Sequence, residues 1–237
     1  MSRFYFRQLL AGRDFAKDDA LARAMRNFTY ALGDRDEGVA VLVDPAYAPV
    51  ELAEMVEDDG LRVIGAIATH FHADHVGGSL GGQSQVAGIV ELLNWRDVAV
   101  HAQREELEWI KRGTGVGAAN LVGHDDGDEL KIGEVGVTLV HTPGHTPGSQ
   151  CLLVGGRLVS GDTLFIDGCG RTDLPGGDAE QMYDTLTRRL ANVANETTLW
   201  PGHLYSPESS APLGEVRENN FVLAPSTREQ WLSMFAT

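Results

Sequence analysis

Apolar positions along this chain come in short blocks bounded by polar or glycine-rich stretches, and the blocks follow two periods. Residues 29–32 and 39–43 are apolar runs, read as strands joined by the polar turn 33–38. Residues 50–57 repeat apolar side chains at helical spacing and end before Gly60, a residue that stops helices. A third apolar run, 61–68, follows directly. Residues 98–102 predict a short strand and 105–111 a helix. The runs 130–132, 137–140, 151–154 and 157–160 then predict successive hairpins with glycine-containing turns. Residues 179–191 predict an amphipathic helix whose N-cap is Asp178, and 197–200 the final core strand. The glycine-rich stretches 77–82 and 113–117 lack the strand-loop-helix context of a phosphate cradle and are read as turns.

The order is a mixed βα region, a hairpin-rich region, then βα again. No linker rich in proline, glycine and serine divides it. The expected unit is therefore one α/β domain over residues 1–237, with two sheets covered by helices as the layer rules require.

Composition narrows the partners. The net charge of −15 repels phosphate backbones and argues against a nuclease, which would carry a basic stripe. The charged run 54–59 is read as a solvated helix end. No apolar run approaches a membrane span, and the opening residues lack the apolar core of a signal peptide. Cys151 and Cys169, the only cysteines, suit reduced thiols. The expectation is a cytoplasmic protein with no nucleic-acid or membrane partner; a homodimer is compatible.

Chemistry enters at the end of the run 61–68. There the chain reads His70-Phe71-His72-Ala73-Asp74-His75. Further along, His145 stands in Thr-Pro-Gly-His-Thr, Asp162 follows Ser-Gly at a strand end, and His203 follows Pro-Gly. Of eight histidines, five lie in these motifs. Neutral imidazole and carboxylate suit zinc, iron and manganese, and two cysteines are too few for a thiolate site. In an extended segment His70 and His72 point the same way and can grip one ion together. Asp74 and His75 follow as the backbone turns and can face a second. Seven such side chains exceed one tetrahedral centre and suffice for two ions sharing a carboxylate. Three histidines and an aspartate in six residues would make a poor core. The remaining histidines, His101, His124 and His141, are read as packing residues.

These motifs resemble the metallo-β-lactamase superfamily, in order and over most of the chain. The resemblance implies a four-layer αββα sandwich. It also implies that His70, His72 and His145 hold one metal, that Asp74, His75 and His203 hold the second, and that Asp162 bridges. Within the superfamily the stretch Gly168-Cys169-Gly170-Arg171-Thr172-Asp173 resembles the glyoxalase II and persulfide dioxygenase branch. The segments 4–9 and 28–32 resemble the dioxygenases. Departures are an extra segment at 11–27, an expanded stretch between His75 and Val98, and only a short tail after His203.

Two reactions and one inert role fit. The first is hydrolysis of a small-thiol thioester with two divalent ions, zinc expected, and Asp74 and Asp162 as the catalytic carboxylates. A thiol of pKa about 8.5 leaves without a strong general acid. The second is oxidation of a thiol persulfide at one iron(II); the resemblance assigns His70, His145 and Asp162 to that ion. A catalytically silent binding module is the third, and the complete ligand set speaks against it. The full ligand set places hydrolysis first. The substrate is expected to be a small thiol derivative. Candidate contacts to it are Arg171 and Tyr205, with Arg171 either clamping an anion or paired with Asp173 at the surface.

Overall fold

A computed structural model describes residues 2–225 and 227–235. Its strands are β1 (Phe4–Leu10), β2 (Phe28–Asp34), β3 (Val39–Val43), β4 (Arg62–Ile67), β5 (Gly78–Leu80), β6 (Ser84–Val86), β7 (Ala99–Gln103), β8 (Leu121–His124), β9 (Glu129–Ile132), β10 (Val135–His141), β11 (Gln150–Val154), β12 (Arg157–Gly161), β13 (Thr198–Pro201) and β14 (Ala211–Pro212). The helices are α1 (Ala20–Met25), α2 (Pro49–Asp58), α3 (Ala73–Val76), α4 (Ile89–Trp95), α5 (Leu107–Thr114), α6 (Ala179–Asp184), α7 (Leu213–Asn219) and α8 (Arg228–Phe235).

Two six-stranded mixed sheets form, in the orders β1-β2-β3-β4-β7-β8 and β14-β13-β12-β11-β10-β9. The period-two pattern explains their stacking. In β2 and β3, Tyr30, Leu32, Val41 and Val43 join a core with Leu139, Leu152, Val154 and Val159 of the other sheet. The intervening Ala31, Ala40 and Leu42 point the opposite way, onto Leu52 and Val56 of α2 and Leu92 of α4. In the second sheet Cys151, Leu158 and Leu199 turn outward onto Met182 of α6, Val216 of α7 and Trp231 of α8. Both faces of each sheet are apolar, so the layers are helix, sheet, sheet, helix. This is the αββα sandwich the resemblance implied.

Most predicted elements appear within a residue or two. Asp178 caps α6, accepting the Gln181 amide at 3.0 Å. Several expectations need correction. The helix over 179–191 is not continuous: α6 ends at Asp184, and the chain widens into a π turn over Thr185–Arg189 and tightens again over Leu190–Asn192. At that switch the Thr185 hydroxyl donates across to Pro143 O at 2.7 Å. The stretch 77–82 is not merely a turn, since Gly78–Leu80 pairs with Ser84–Val86. The strand β13 is the last core strand, as expected, and a two-residue edge strand, β14, pairs with it. The tail after His203 folds onto the second sheet and buries Trp231, whose indole donates to Val222 O at 2.8 Å. The charged run 54–59 is only partly solvated: Val56 is buried, and Asp59 accepts from Tyr5 and Arg7. Cys151 and Cys169 are not bonded to each other. Among the described residues no helix is long and apolar enough to cross a membrane.

Candidate metal centre

The site lies where the carboxyl ends of β4, β12 and β13 meet. Past β4 the chain turns through Thr69 to Phe71 into the single turn of α3. The Thr69 backbone is tied to the second sheet, its carbonyl accepting the Gln150 amide at 2.9 Å. Strands β12 and β13 run parallel, so Asp162 and His203 emerge side by side, with Gly202 N donating to Gly161 O at 2.8 Å. Gly161 has φ +49°, and a Cβ there would lie 2.5 Å from Thr69 Oγ1. Only glycine lets these strand ends approach so closely.

The seven predicted ligands converge. His70, His72 and His145 form one group whose ligating atoms all lie within 4.8 Å of one another; Asp74, His75 and His203 form a second such group. Asp162 stands between them. Its carboxylate lies 3.6 Å from His145 Nε2, 3.3 Å from His203 Nε2 and 3.4 Å from His75 Nε2. In the second group His75 Nε2 and His203 Nε2 are 3.2 Å apart, and Asp74 Oδ2 lies 3.6 and 3.5 Å from them. A tetrahedral ion with bonds of about 2.0–2.1 Å separates its ligand atoms by about 3.3–3.4 Å, so the donor spacing fits a metal. Two buried atoms here accept or donate no hydrogen bond within the protein, His70 Nε2 and Asp162 Oδ1.

Outer partners aim the imidazoles. His75 Nδ1 donates to Asp44 Oδ2 at 2.9 Å, His145 Nδ1 to Arg171 O at 2.7 Å and His203 Nδ1 to Met25 O at 2.9 Å. Each bond fixes the tautomer and leaves Nε2 bare towards the site. The Thr69 hydroxyl donates to Asp44 Oδ2 at 2.6 Å and so faces His70 Nδ1, 3.0 Å away, as an acceptor. Burial, then the neighbouring His145, holds His72 down to about 4, so it is neutral as a ligand must be. Burial pushes His75 down as well, but Asp162, Asp74 and Asp44 outweigh it and bring it up to about 10. That concentration of carboxylates is the charge a divalent cation balances.

Three residues of the site carry no signal in the local sequence. Asp44 adopts a left-handed φ of +53° to reach Thr69 and His75, a strained backbone at a functional site. Asn27, at the end of the extra segment 11–27, donates its amide to Asp74 Oδ2 at 3.0 Å, and Tyr47 OH donates to its carbonyl oxygen at 3.0 Å. Glu106 is fully buried and joins two ligand turns. It accepts from Phe71 N at 2.7 Å, from the Thr146 hydroxyl at 2.8 Å and from Gly148 N at 2.6 Å. The packing histidines stay apart from the centre, as expected: His101 Nδ1 lies 2.9 Å from His124 Nε2, and His141 Nε2 donates to Pro147 O.

A cavity of about 870 Å³ opens over the predicted ligands. Arg171 and Tyr205 both line it. Arg171 is paired with Asp173 through two bonds of 2.9 and 2.7 Å, and Tyr205 stacks on His203 with ring centroids 4.6 Å apart.

The chain is similar to known proteins over most of its length. It is 32% identical over 209 residues to the mitochondrial persulfide dioxygenase ETHE1 of Homo sapiens, covering 85% of this chain and 73% of that protein. It is 34% identical over 204 residues to the hydroxyacylglutathione hydrolase of Xanthomonas axonopodis pv. citri, covering 86% and 71%. The crystal structure of ETHE1 from Myxococcus xanthus superposes with a TM-score of 0.77 at 30% identity, covering 98% of this chain and 89% of that one. The model of the Metallo-beta-lactamase superfamily matches residues 26–203, the span from Arg26 to the last predicted ligand. With this sandwich and ligand clusters at its strand ends, the chain belongs to the metallo-β-lactamase superfamily and is homologous to its persulfide dioxygenase branch.

Proposed function

We propose that this protein is an iron-dependent dioxygenase that oxidises the persulfide of a small thiol. The ligand set alone does not separate this reaction from thioester hydrolysis. The observation that carries it is the extent of similarity to ETHE1 from Myxococcus xanthus, which takes in 98% of this chain and 89% of that one. This reverses the order expected from the ligand count, which had placed hydrolysis first.

His70, His145 and Asp162 would hold the iron, whose contribution when bound is electron transfer between sulfur and dioxygen at positions left open by three protein ligands. The balance is R–S–SH, O2 and H2O giving R–SH and H2SO3. The outer sulfur loses four electrons and dioxygen gains them. The chain's own residues do the rest. Arg171 O and Thr69 Oγ1 hold the imidazoles of His145 and His70 in register. The largely apolar cavity would admit the substrate with its sulfur towards Asp162.

A second reading, thioester hydrolysis at two metals, is favoured by the near-tetrahedral spacing of Asp74, His75 and His203. Elemental analysis of protein purified without chelator, paired with oxygen uptake on a persulfide, separates the two. One iron per chain with oxygen consumption supports the dioxygenase. Two metals per chain with thioester cleavage and no oxygen uptake would reject it.

A further inference from the structure

A second cavity, of about 590 Å³, opens at the end of the sandwich opposite the metal centre. Segments far apart in the sequence build it. Ser2, Phe4 and Phe6 come from β1 and the residues before it, Arg35 from the turn between β2 and β3, and Gly155 and Arg157 from the turn into β12. Arg157 begins β12 and Asp162 follows its far end, so the length of that strand, roughly 17 Å, separates this cavity from the predicted ligands.

Charge singles the cavity out. The chain carries 34 acidic side chains and 19 basic ones. Yet two of the six lining residues are arginines, and none is acidic. Among the described residues neither arginine forms an ion pair. Asp36 and Glu37, the neighbours of Arg35 in its turn, face Arg3 instead, at 3.6 and 3.7 Å. Each guanidinium lies over aromatic rings: Arg35 over Tyr5 at 4.7 Å, and Arg157 over Phe4 and Phe6 at 5.2 and 4.8 Å. The rings hold the cations in place without neutralising them. Arg157 Nη1 donates to Gly155 O at 2.8 Å, while its buried Nε donates to no acceptor. The Arg35 side chain, exposed in its turn, makes no hydrogen bond within the described residues. Gly155 keeps the space clear. It has φ +53°, and a Cβ there would lie 3.0 Å from Phe4 Cδ1 and 3.4 Å from Arg157 Nη1.

Two uncompensated guanidiniums beside apolar rings suit a dianionic headgroup on a flat apolar body. The planar guanidinium matches the oxygens of a phosphate. A phosphate monoester, with a second pKa of about 6, carries nearly two charges at neutral pH where a carboxylate carries one. The volume lies within the range of small-molecule sites, about 300–1,000 Å³. We propose that this cavity binds a phosphate monoester of an aromatic molecule, at a site separate from the metal centre. The site is independent of which reaction the metal centre performs.

The test titrates phenyl phosphate, inorganic phosphate and benzoate into the metal-loaded protein by calorimetry. Phenyl phosphate should bind several-fold more tightly than either of the others, because it alone engages both the cations and the rings. Arg35→Gln and Arg157→Gln should each weaken it about tenfold or more, as loss of a charge-assisted bond predicts. Metal content and turnover in both variants should stay within about twofold of the unaltered protein, as expected for distant sites. Arg157→Lys keeps the charge without the planar fork and should fall between. Arg35→Gln alters an exposed side chain, so the test stands even if the variants at Arg157 fold poorly. Phenyl phosphate bound with unchanged affinity by both glutamine variants would place it elsewhere, at the metal centre above all, and overturn the proposal. Inorganic phosphate bound as tightly as phenyl phosphate would overturn the aromatic ester as the ligand, and no binding of phenyl phosphate would overturn the site.

Discussion

The two halves of the metal centre are built differently. At the first position, His70, His72 and His145 come from two turns tied together from beneath. Their braces are Thr69, Arg171 O and the buried Glu106, which bonds to the backbone of both turns. At the second, Asp74, His75 and His203 are braced by the N-terminal segment and the loop after β3: Asn27, Met25 O and Asp44. The first position is held by one neighbour in its own motif, Thr69, and by Arg171 and Glu106 from elsewhere in the chain. The second depends on chain more than a hundred residues from His203. The two candidate reactions divide along this line, since both need the first position and Asp162 while only the hydrolase needs the second. The difference teaches that a complete ligand set does not by itself say how many ions are used, and that each half can be tested through its own braces.

The largest effect should come from the residue common to both halves. Asp162→Ala should reduce turnover to background and lower metal content by either mechanism, because it removes a carboxylate that faces His75, His145 and His203 at once. Near-normal turnover with full metal content would break the site as described. The next effect discriminates. His75→Ala and His203→Ala should each leave the first-position iron and most oxygen uptake on a persulfide in place. Loss of one of two bound metals, together with thioester cleavage, would transfer the assignment to the hydrolase.

What the sequence disclosed follows the same division. Metal chemistry demands particular side chains at short spacing, so His70, His72, Asp74 and His75 announce themselves, and His145, Asp162 and His203 each stand in a glycine-containing turn. The strands were legible wherever apolar residues filled both faces, as in β3 and β12. The strand β1 was not assigned as a strand because Arg7 and Gln8 interrupt its apolar residues; it is an edge strand paired only with β2. The strand β8, Leu-Val-Gly-His, is too short and mixed to read. Asn27, Asp44 and Glu106 were invisible for a different reason. Each is a single polar residue whose role exists only after distant segments meet, and no local period encodes the burial of a carboxylate. Glu106 in particular sits where a helix was expected and looks like any solvated glutamate in a charged stretch.

Asn27 offers a smaller effect confined to the second position. Asn27→Ala removes the donor to Asp74 Oδ2 and leaves that largely buried carboxylate one partner short. Loss of such an outer partner weakens a metal site by about 10–100-fold. Competition with a chelator should show this weakening for a second bound ion and leave the first within about twofold, as expected for sites braced by different residues. Equal weakening of both ions would show that the two halves are not independently supported.

Glu106→Gln should have the smallest effect on metal and turnover, being read on stability, and its pH dependence is its signature. The substitution replaces one accepting oxygen with an NH2 group that faces a donor, Phe71 N and Thr146 on one side or Gly148 N on the other. The expected loss is about 1–3 kcal/mol of stability. Burial pushes the Glu106 carboxyl up to about 7. A carboxyl raised in the fold takes its proton more readily there than in the unfolded chain, where its value is about 4.3. The stability linked to that proton is complete below the unfolded value and is lost as pH rises through about 7. The amide of the variant does not titrate. The advantage of the unaltered protein over Glu106→Gln in thermal unfolding, both metal-loaded, should therefore be greater at pH 5 than at pH 8. Subtracting the two proteins at each pH removes the titration of the ligands, which they share. The same advantage at both values would show that Glu106 keeps one protonation state throughout. No advantage at either would mean that the turns carrying His72 and His145 hold their places without the carboxylate between them.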